Sequence, residues 1–271
     1  MKAFFSIFSA VKNNPAMNPH HCLNCDEPVH QNFCPICGQR TDTHRIVLKH
    51  FILHDMLHGV WHLDRGILFT IRETFVRPGQ AALDYVSGKR IRYYNVFYLC
   101  LLVIGFNLLL KHYFEGFLPP EEERVIEKGS VNGTEFFAKN IKFILLGIVP
   151  ILGLCGLIVF RRLKLNLAEH FILGGICLLG ELLIAIAIFT TVFITKMGWL
   201  PDFSDYLVLI VLLLMVLYPA WVYQNAVRGK YTWIGFTWRM LLFYVLLFVM
   251  MMVVLTVIVI ILSGGKGTVT F

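Results

Sequence analysis

Residues 240–262 read MLLFYVLLFVMMMVVLTVIVIIL, a run without a single charged side chain. About 18 consecutive apolar residues are enough for a helix to cross the hydrocarbon core, so this run decides the fold class. Working back along the chain, comparable runs place spanning helices near 95–114, 141–160, 170–194, 205–224 and 238–262. The chain has 271 residues, 57% of them hydrophobic and 15% charged. Soluble domains carry about 25% charged residues, and the deficit is concentrated in residues 93–262. The expected fold is an all-α polytopic membrane protein of about five transmembrane helices. A small cysteine-rich module and amphipathic interfacial helices precede them.

The loops set the expected orientation. Across 115–140, Glu115, Glu121, Glu122, Glu123, Glu127 and Glu135 outnumber Arg124, Lys128 and Lys139. The 161–169 loop is basic through Arg161, Arg162 and Lys164, the 195–204 loop has only Lys196, and the 225–237 loop has Arg228 and Lys230. Cytoplasmic loops retain Lys and Arg, so the N-terminus is expected in the cytoplasm and the 263–271 tail in the periplasm. The formal net charge of +7 follows mainly from those loops. Residues 1–21 have few bases and a short apolar run that ends at Pro15. They read as a lead-in with an interfacial helix rather than as a secretory signal.

Residues 22–39, CLNCDEPVHQNFCPICGQ, space Cys22, Cys25, Cys34 and Cys37 as C-x2-C-x8-C-x2-C. Two tight turns can aim four thiolates at one tetrahedral ion, which suits Zn2+. Iron in a rubredoxin-like site is the rival, because the ligands are the same. A closed four-sulfur set leaves no vacant position, so one structural Zn2+ per chain is expected, holding a zinc-ribbon-like module over 22–40. The reducing cytoplasm favours metal over disulfides here. With Asp26 and Glu27 and no Lys or Arg between Cys22 and Cys37, the module does not suit nucleic acid. A cytoplasmic protein partner, or simple capping of the helices behind it, are the roles left. Cys100, Cys155 and Cys177 fall in apolar segments and read as small hydrophobes.

Residues 41–92 read as cytoplasmic amphipathic helices. One, over 45–76, is stopped by Arg77-Pro78-Gly79; another, over 80–87, is closed by Gly88. His50, His54, His58 and His62 recur at steps of four within HFILHDMLHGVWH. Adjacent pairs could chelate a metal, but His50 and His62 would stand about 18 Å apart on a helix, too far to share an ion. The ladder is either one face of an interfacial helix or a second metal or proton site, completed by Glu169 and His170. Arg77, Lys89, Arg90 and Arg92, followed by Tyr93 and Tyr94, suit contact with anionic lipid at the interface. Glu181 lies inside the third span, where a carboxylate is costly. It reads as a proton or cation site, or as a hydrogen-bond partner of Tyr218, Tyr223 or Thr190. Gly174, Gly175 and Gly180 suggest close packing of that helix.

The cysteine pattern ending in Gly38-Gln39, together with LDRGILFTIRETFVRPGQAALDYVSGKRIRYYNVFYL, resembles an uncharacterised family of bacterial integral membrane proteins. That family joins a zinc-ribbon-like N-terminus to an R-P-G turn, a Y-x-x-G-K-R segment and several spans. The resemblance covers about residues 20–105, and more loosely LAEHF at 167–171. It implies a metal-binding head and the inner membrane of a Gram-negative bacterium, and it brings no known reaction. No P-loop, Rossmann fingerprint or nucleophile motif is present. The expected role is therefore a docking or accessory protein with a structural zinc module. The alternatives are a metal-dependent enzyme acting on a lipid through the histidine ladder, and a proton-coupled transporter centred on Glu181. The sequence leaves the oligomeric state open.

Overall fold

The computed structural model describes residues 21–29, 31–41, 46, 66–116, 131–197, 204–262 and 269–270. Its helices are α1 (Gly66–Val76), α2 (Pro78–Val86), α3 (Val96–Glu115), α4 (Gly133–Val159), α5 (Leu167–Lys196), α6 (Ser204–Val227) and α7 (Trp233–Leu262). Five of them, α3 to α7, are long and apolar enough to cross a membrane, as the sequence leads one to expect. α4 begins at Gly133 and α7 at Trp233, upstream of the apolar runs near 141 and 238. Hydropathy marks only the lipid-compatible part of a helix, whereas backbone hydrogen bonding continues past it.

α5 is the central helix. It packs against α3, α4 and α6, and Ile172, Leu173, Ile176, Leu178 and Leu179 on it are fully buried. Its glycines set the spacing. A Cβ on Gly174 would stand 2.9 Å from the Val149 carbonyl of α4, and one on Gly180 would enter the Tyr218 ring of α6. Small residues at such crossings let helix backbones approach closely. The Cys100 thiol donates to the Gly175 carbonyl at 3.6 Å, and Cys155 meets Met250 at 3.6 Å. α7 packs on α4 and turns Leu241, Val245, Phe248 and Val253 outward, as a lipid-facing helix should.

The two basic loops meet at one end of the bundle. The guanidinium groups of Arg162, at 5.1 Å, and Arg239, at 4.4 Å, both lie over the Tyr231 ring. Arg162 also donates to the Lys230 carbonyl at 3.1 Å. A two-residue parallel pairing, β1 (Val131–Asn132) with β2 (Val269–Thr270), joins the segment before α4 to the chain after α7. The four crossings between them, α4 to α7, are an even number and so bring those two segments to the same end.

A candidate metal centre and its seat on the bundle

The cysteines form two matching knuckles. In the first, the Asp26 amide donates to the Cys22 carbonyl at 2.8 Å and the Cys22 amide to the Glu27 carbonyl at 2.7 Å. In the second, Gly38 and Cys34 repeat both bonds, to Cys34 and Gln39, at 2.9 and 2.8 Å. Closing each knuckle needs a left-handed residue, and Asp26 (φ 64°) and Gly38 (φ 74°) occupy equivalent places. Glycine is the usual solution, while Asp tolerates the conformation.

The four Sγ atoms lie within 4.8 Å of one another. Cys22–Cys37, Cys25–Cys34 and Cys25–Cys37 are each 3.5 Å apart. A tetrahedral zinc–thiolate site with 2.3 Å bonds needs sulfurs about 3.8 Å apart, so the donor set fits such an ion with little movement. The electrostatics agree. The Glu27 backbone lowers the Cys25 pKa, but burial and the thiols of Cys34, Cys37 and Cys22 outweigh it and push it up to about 12. Burial raises Cys37, yet hydrogen bonds from Asn24, the Gln39 backbone and the Cys22 and Cys25 thiols bring it down to about 6. Crowded sulfurs cannot all ionise beside one another; a bound dication removes that conflict.

The module is seated on the chain that leads into α3. Buried Gln39 accepts the Ile91 amide on its Oε1 at 3.0 Å, and Arg92 reaches the Asn24 carbonyl at 3.5 Å. The Arg90–Arg92 turn is thus the seat, and an open cleft of about 690 Å³ runs between the first knuckle and Lys89 and Arg92.

Behind the seat, charged groups form a chain. Arg77 pairs with Glu73 and stands 3.5 Å from Asp84, which binds Lys89 at 3.0 Å and the Tyr93 hydroxyl at 3.2 Å. Burial lowers the Arg77 pKa, but the Glu73 carboxylate outweighs it and raises the value overall. Of the residues read as lipid contacts, Arg77 and Lys89 therefore have intramolecular carboxylate partners. The guanidinium of Arg90 lies 5.8 Å from the Tyr85 ring centre. Sequence reasoning passed over Glu73 and Asp84, although the i,i+4 spacing of Glu73 and Arg77 is a visible ion-pair pattern.

The other singled-out residues are dispersed. The ladder His50, His54, His58 and His62 lies outside the described residues. Glu169 serves the α5 N-terminus: its Oε2 accepts the Asn166 amide at 2.7 Å, while Asn166 Oδ1 accepts the Glu169 amide at 2.9 Å. This is a reciprocal cap, and the spelling Asn166-x-x-Glu169 announces it. Asn166 also donates to the Ile46 carbonyl at 2.9 Å. His170 is buried, and its Nδ1 has no hydrogen-bond partner among the described residues. Glu181 is half-buried on α5. Its three expected partners bond elsewhere: Tyr218 to the Thr74 carbonyl at 2.8 Å, Tyr223 to Leu152 at 3.4 Å and Thr190 to Ile186 at 2.7 Å.

Residues 64–106 fit the family described as "Protein of unknown function (DUF3667)", a stretch that holds α1, α2, the 90–92 turn and the first half of α3. The four-cysteine module lies before it. No curated protein and no solved structure matches the chain. The chain is accordingly an all-α membrane protein with a four-cysteine cluster, similar over its α1–α3 region to a family of unknown function.

Proposed function

We infer that this is an inner-membrane protein of bacteria whose cytoplasmic module binds one structural Zn2+ and serves as a docking platform for a cytoplasmic protein. The observation that carries the reading is the way the module is built in. Its ligand set is closed, and Gln39 fixes it to the turn before α3. Meanwhile Phe33 (56% exposed) and Ile36 (70% exposed) take no part in that attachment. Apolar side chains displayed on a rigid metal-held unit suit a partner surface. Cys22, Cys25, Cys34 and Cys37 would hold the ion, whose contribution is folding energy. The basic loops at 161–169 and 225–237 support a cytoplasmic module.

Metal analysis of the full chain in mild detergent should find one zinc per chain and no iron. A reporter fused after Lys230 should read cytoplasmic, and one inserted near Gly129 periplasmic. A benzophenone amino acid at Ile36, activated in cells, should give a discrete protein adduct. Adducts with lipid alone, or none, would remove the docking role, and a periplasmic reading after Lys230 would remove the orientation.

A further inference from the structure

α1 is built inside out. Thr70, Glu73 and Thr74 on one side are buried, at 0%, 3% and 0% exposure, whereas Leu68, Phe75 and Val76 on the other are 79%, 45% and 54% exposed. A helix on a water-facing surface has the opposite arrangement. Burying the polar side and showing the apolar one suits a helix with lipid outside and protein inside.

The heights of its contacts agree. At its start, the Gly66 Cα faces Tyr94, where an added Cβ would be 3.0 Å from the amide, and Thr70 Oγ1 accepts that amide at 2.8 Å. Two residues on, Val96 packs against Gly175 of α5. Near the other end of α1, the Thr74 carbonyl accepts the Tyr218 hydroxyl at 2.8 Å, and the Tyr218 ring fills the place of a Cβ on Gly180. Gly175 to Gly180 is about 7.5 Å along α5, so α1 descends beside the bundle past the first turn of α3. The chain breaks at Arg77 and returns as α2. Gly79 lies so close to α6 that a Cβ would meet the Val222 carbonyl and the Ala226 amide. The start of α2 thus lies beside the last turns of α6, and a helix start packed there leaves amides without an intrahelical partner. Asn225 supplies the partner, its Oδ1 accepting the Gln80 amide at 2.9 Å while Gln80 Nε2 donates to the Asn225 carbonyl at 2.8 Å.

We propose that the α1–α2 hairpin lies against the end of the bundle in the interfacial layer and that the outer face of α1 binds a membrane phospholipid, with the phosphate on Arg72 and an acyl chain along Leu68, Phe75 and Val76. These four residues share one helical face at i, i+4, i+7 and i+8. The Arg72 side chain is 71% exposed, and its NH1 stands 3.8 Å from Glu73. A long arginine at this height can rise to the headgroup layer, where its fork suits a phosphate.

The test uses the full chain in vesicles of phosphatidylethanolamine and phosphatidylglycerol. A benzophenone amino acid at Leu68 or at Phe75 should yield adducts of phospholipid mass; absence of such adducts at both sites overturns the hairpin's placement. Native mass spectrometry in mild detergent should then show phosphatidylglycerol retained by the parent. In Arg72→Gln its affinity should fall about tenfold, the scale of one charge-assisted contact, and Arg72→Lys should keep part of it. Unchanged retention in Arg72→Gln overturns the phosphate assignment. Displacement of the lipid by excess inorganic phosphate would mean a free-anion site and overturns the lipid source. Because Arg72 points outward, the variant should elute and bind zinc as the parent does.

Discussion

The four-cysteine module and the α1–α2 hairpin are both too small to bury a core of their own, and they solve that problem oppositely. The module is closed by four side chains within sixteen positions of sequence, from Cys22 to Cys37. The hairpin is closed by another part of the chain: Thr74 by Tyr218, Gly79 by Ala226, Gln80 by Asn225. The first is a local solution that an ion completes, the second a remote one that close packing completes. They should therefore fail independently, and substitutions can test that separation.

The largest effect belongs to the metal. Structural zinc contributes about 10–16 kcal/mol of apparent binding free energy in small zinc modules. Cys34→Ser should abolish stoichiometric zinc and open the N-terminal segment to protease, while the thermal unfolding of the bundle stays put. If the bundle unfolds with the module, the two regions are one unit. Next is Gly79→Ala. The added Cβ meets α6 backbone, which has no side chain to swing away. Overpacking of this kind costs about 1–3 kcal/mol, so thermal stability in detergent should drop while zinc content holds. A variant as stable as the parent would disprove the close crossing of α2 and α6.

Asn225→Ala removes the acceptor of the Gln80 amide and leaves a buried donor unpaired, for about 1–3 kcal/mol. Gln80→Ala removes the other bond, from Nε2 to the Asn225 carbonyl. Because each bond joins a side chain to the partner's backbone, the double variant should lose about the sum of the two single losses, and no loss in either single variant would mean that the bond it removes does not hold the hairpin. The smallest effect is expected of Gln39→Ala, about 1 kcal/mol for one backbone partner. Zinc should remain bound, yet the module should be cleaved faster. Unchanged proteolysis would show that the seat on Ile91 is not what holds the module.

The same contrast explains what could be read in the sequence. The cysteine spacing and the 240–262 run are legible because all the information sits within one short window. Gly88 could be assigned as a helix end, and its φ of 105° agrees. The hairpin was harder to see, because Glu73, Arg77 and Thr70 make residues 66–86 look too polar for a bilayer. Their polarity is cancelled by partners close in sequence, Glu73 with Arg77, Arg77 with Asp84 and Thr70 with the Tyr94 amide, but the contacts that hold the hairpin in place, from Tyr218 and Asn225 of α6, lie in no local window. The usable clue was the face, with Leu68, Phe75 and Val76 on one side and Thr70, Glu73 and Thr74 on the other. Glu169 teaches a related lesson: a buried acid beside a histidine invites a chemical reading, but the Asn166-x-x-Glu169 spacing already marks a helix start.

The Gln80–Asn225 lock joins residues 145 positions apart. Ribosomes add about 5–20 residues per second, so the hairpin is synthesised about 7–30 s before its partner exists. During that interval the Thr74 carbonyl and the Gln80 amide lack the α6 side chains that partner them in the folded chain. The lock can close only after α6 has been made, so a segment early in the sequence is among the last to be fixed in place.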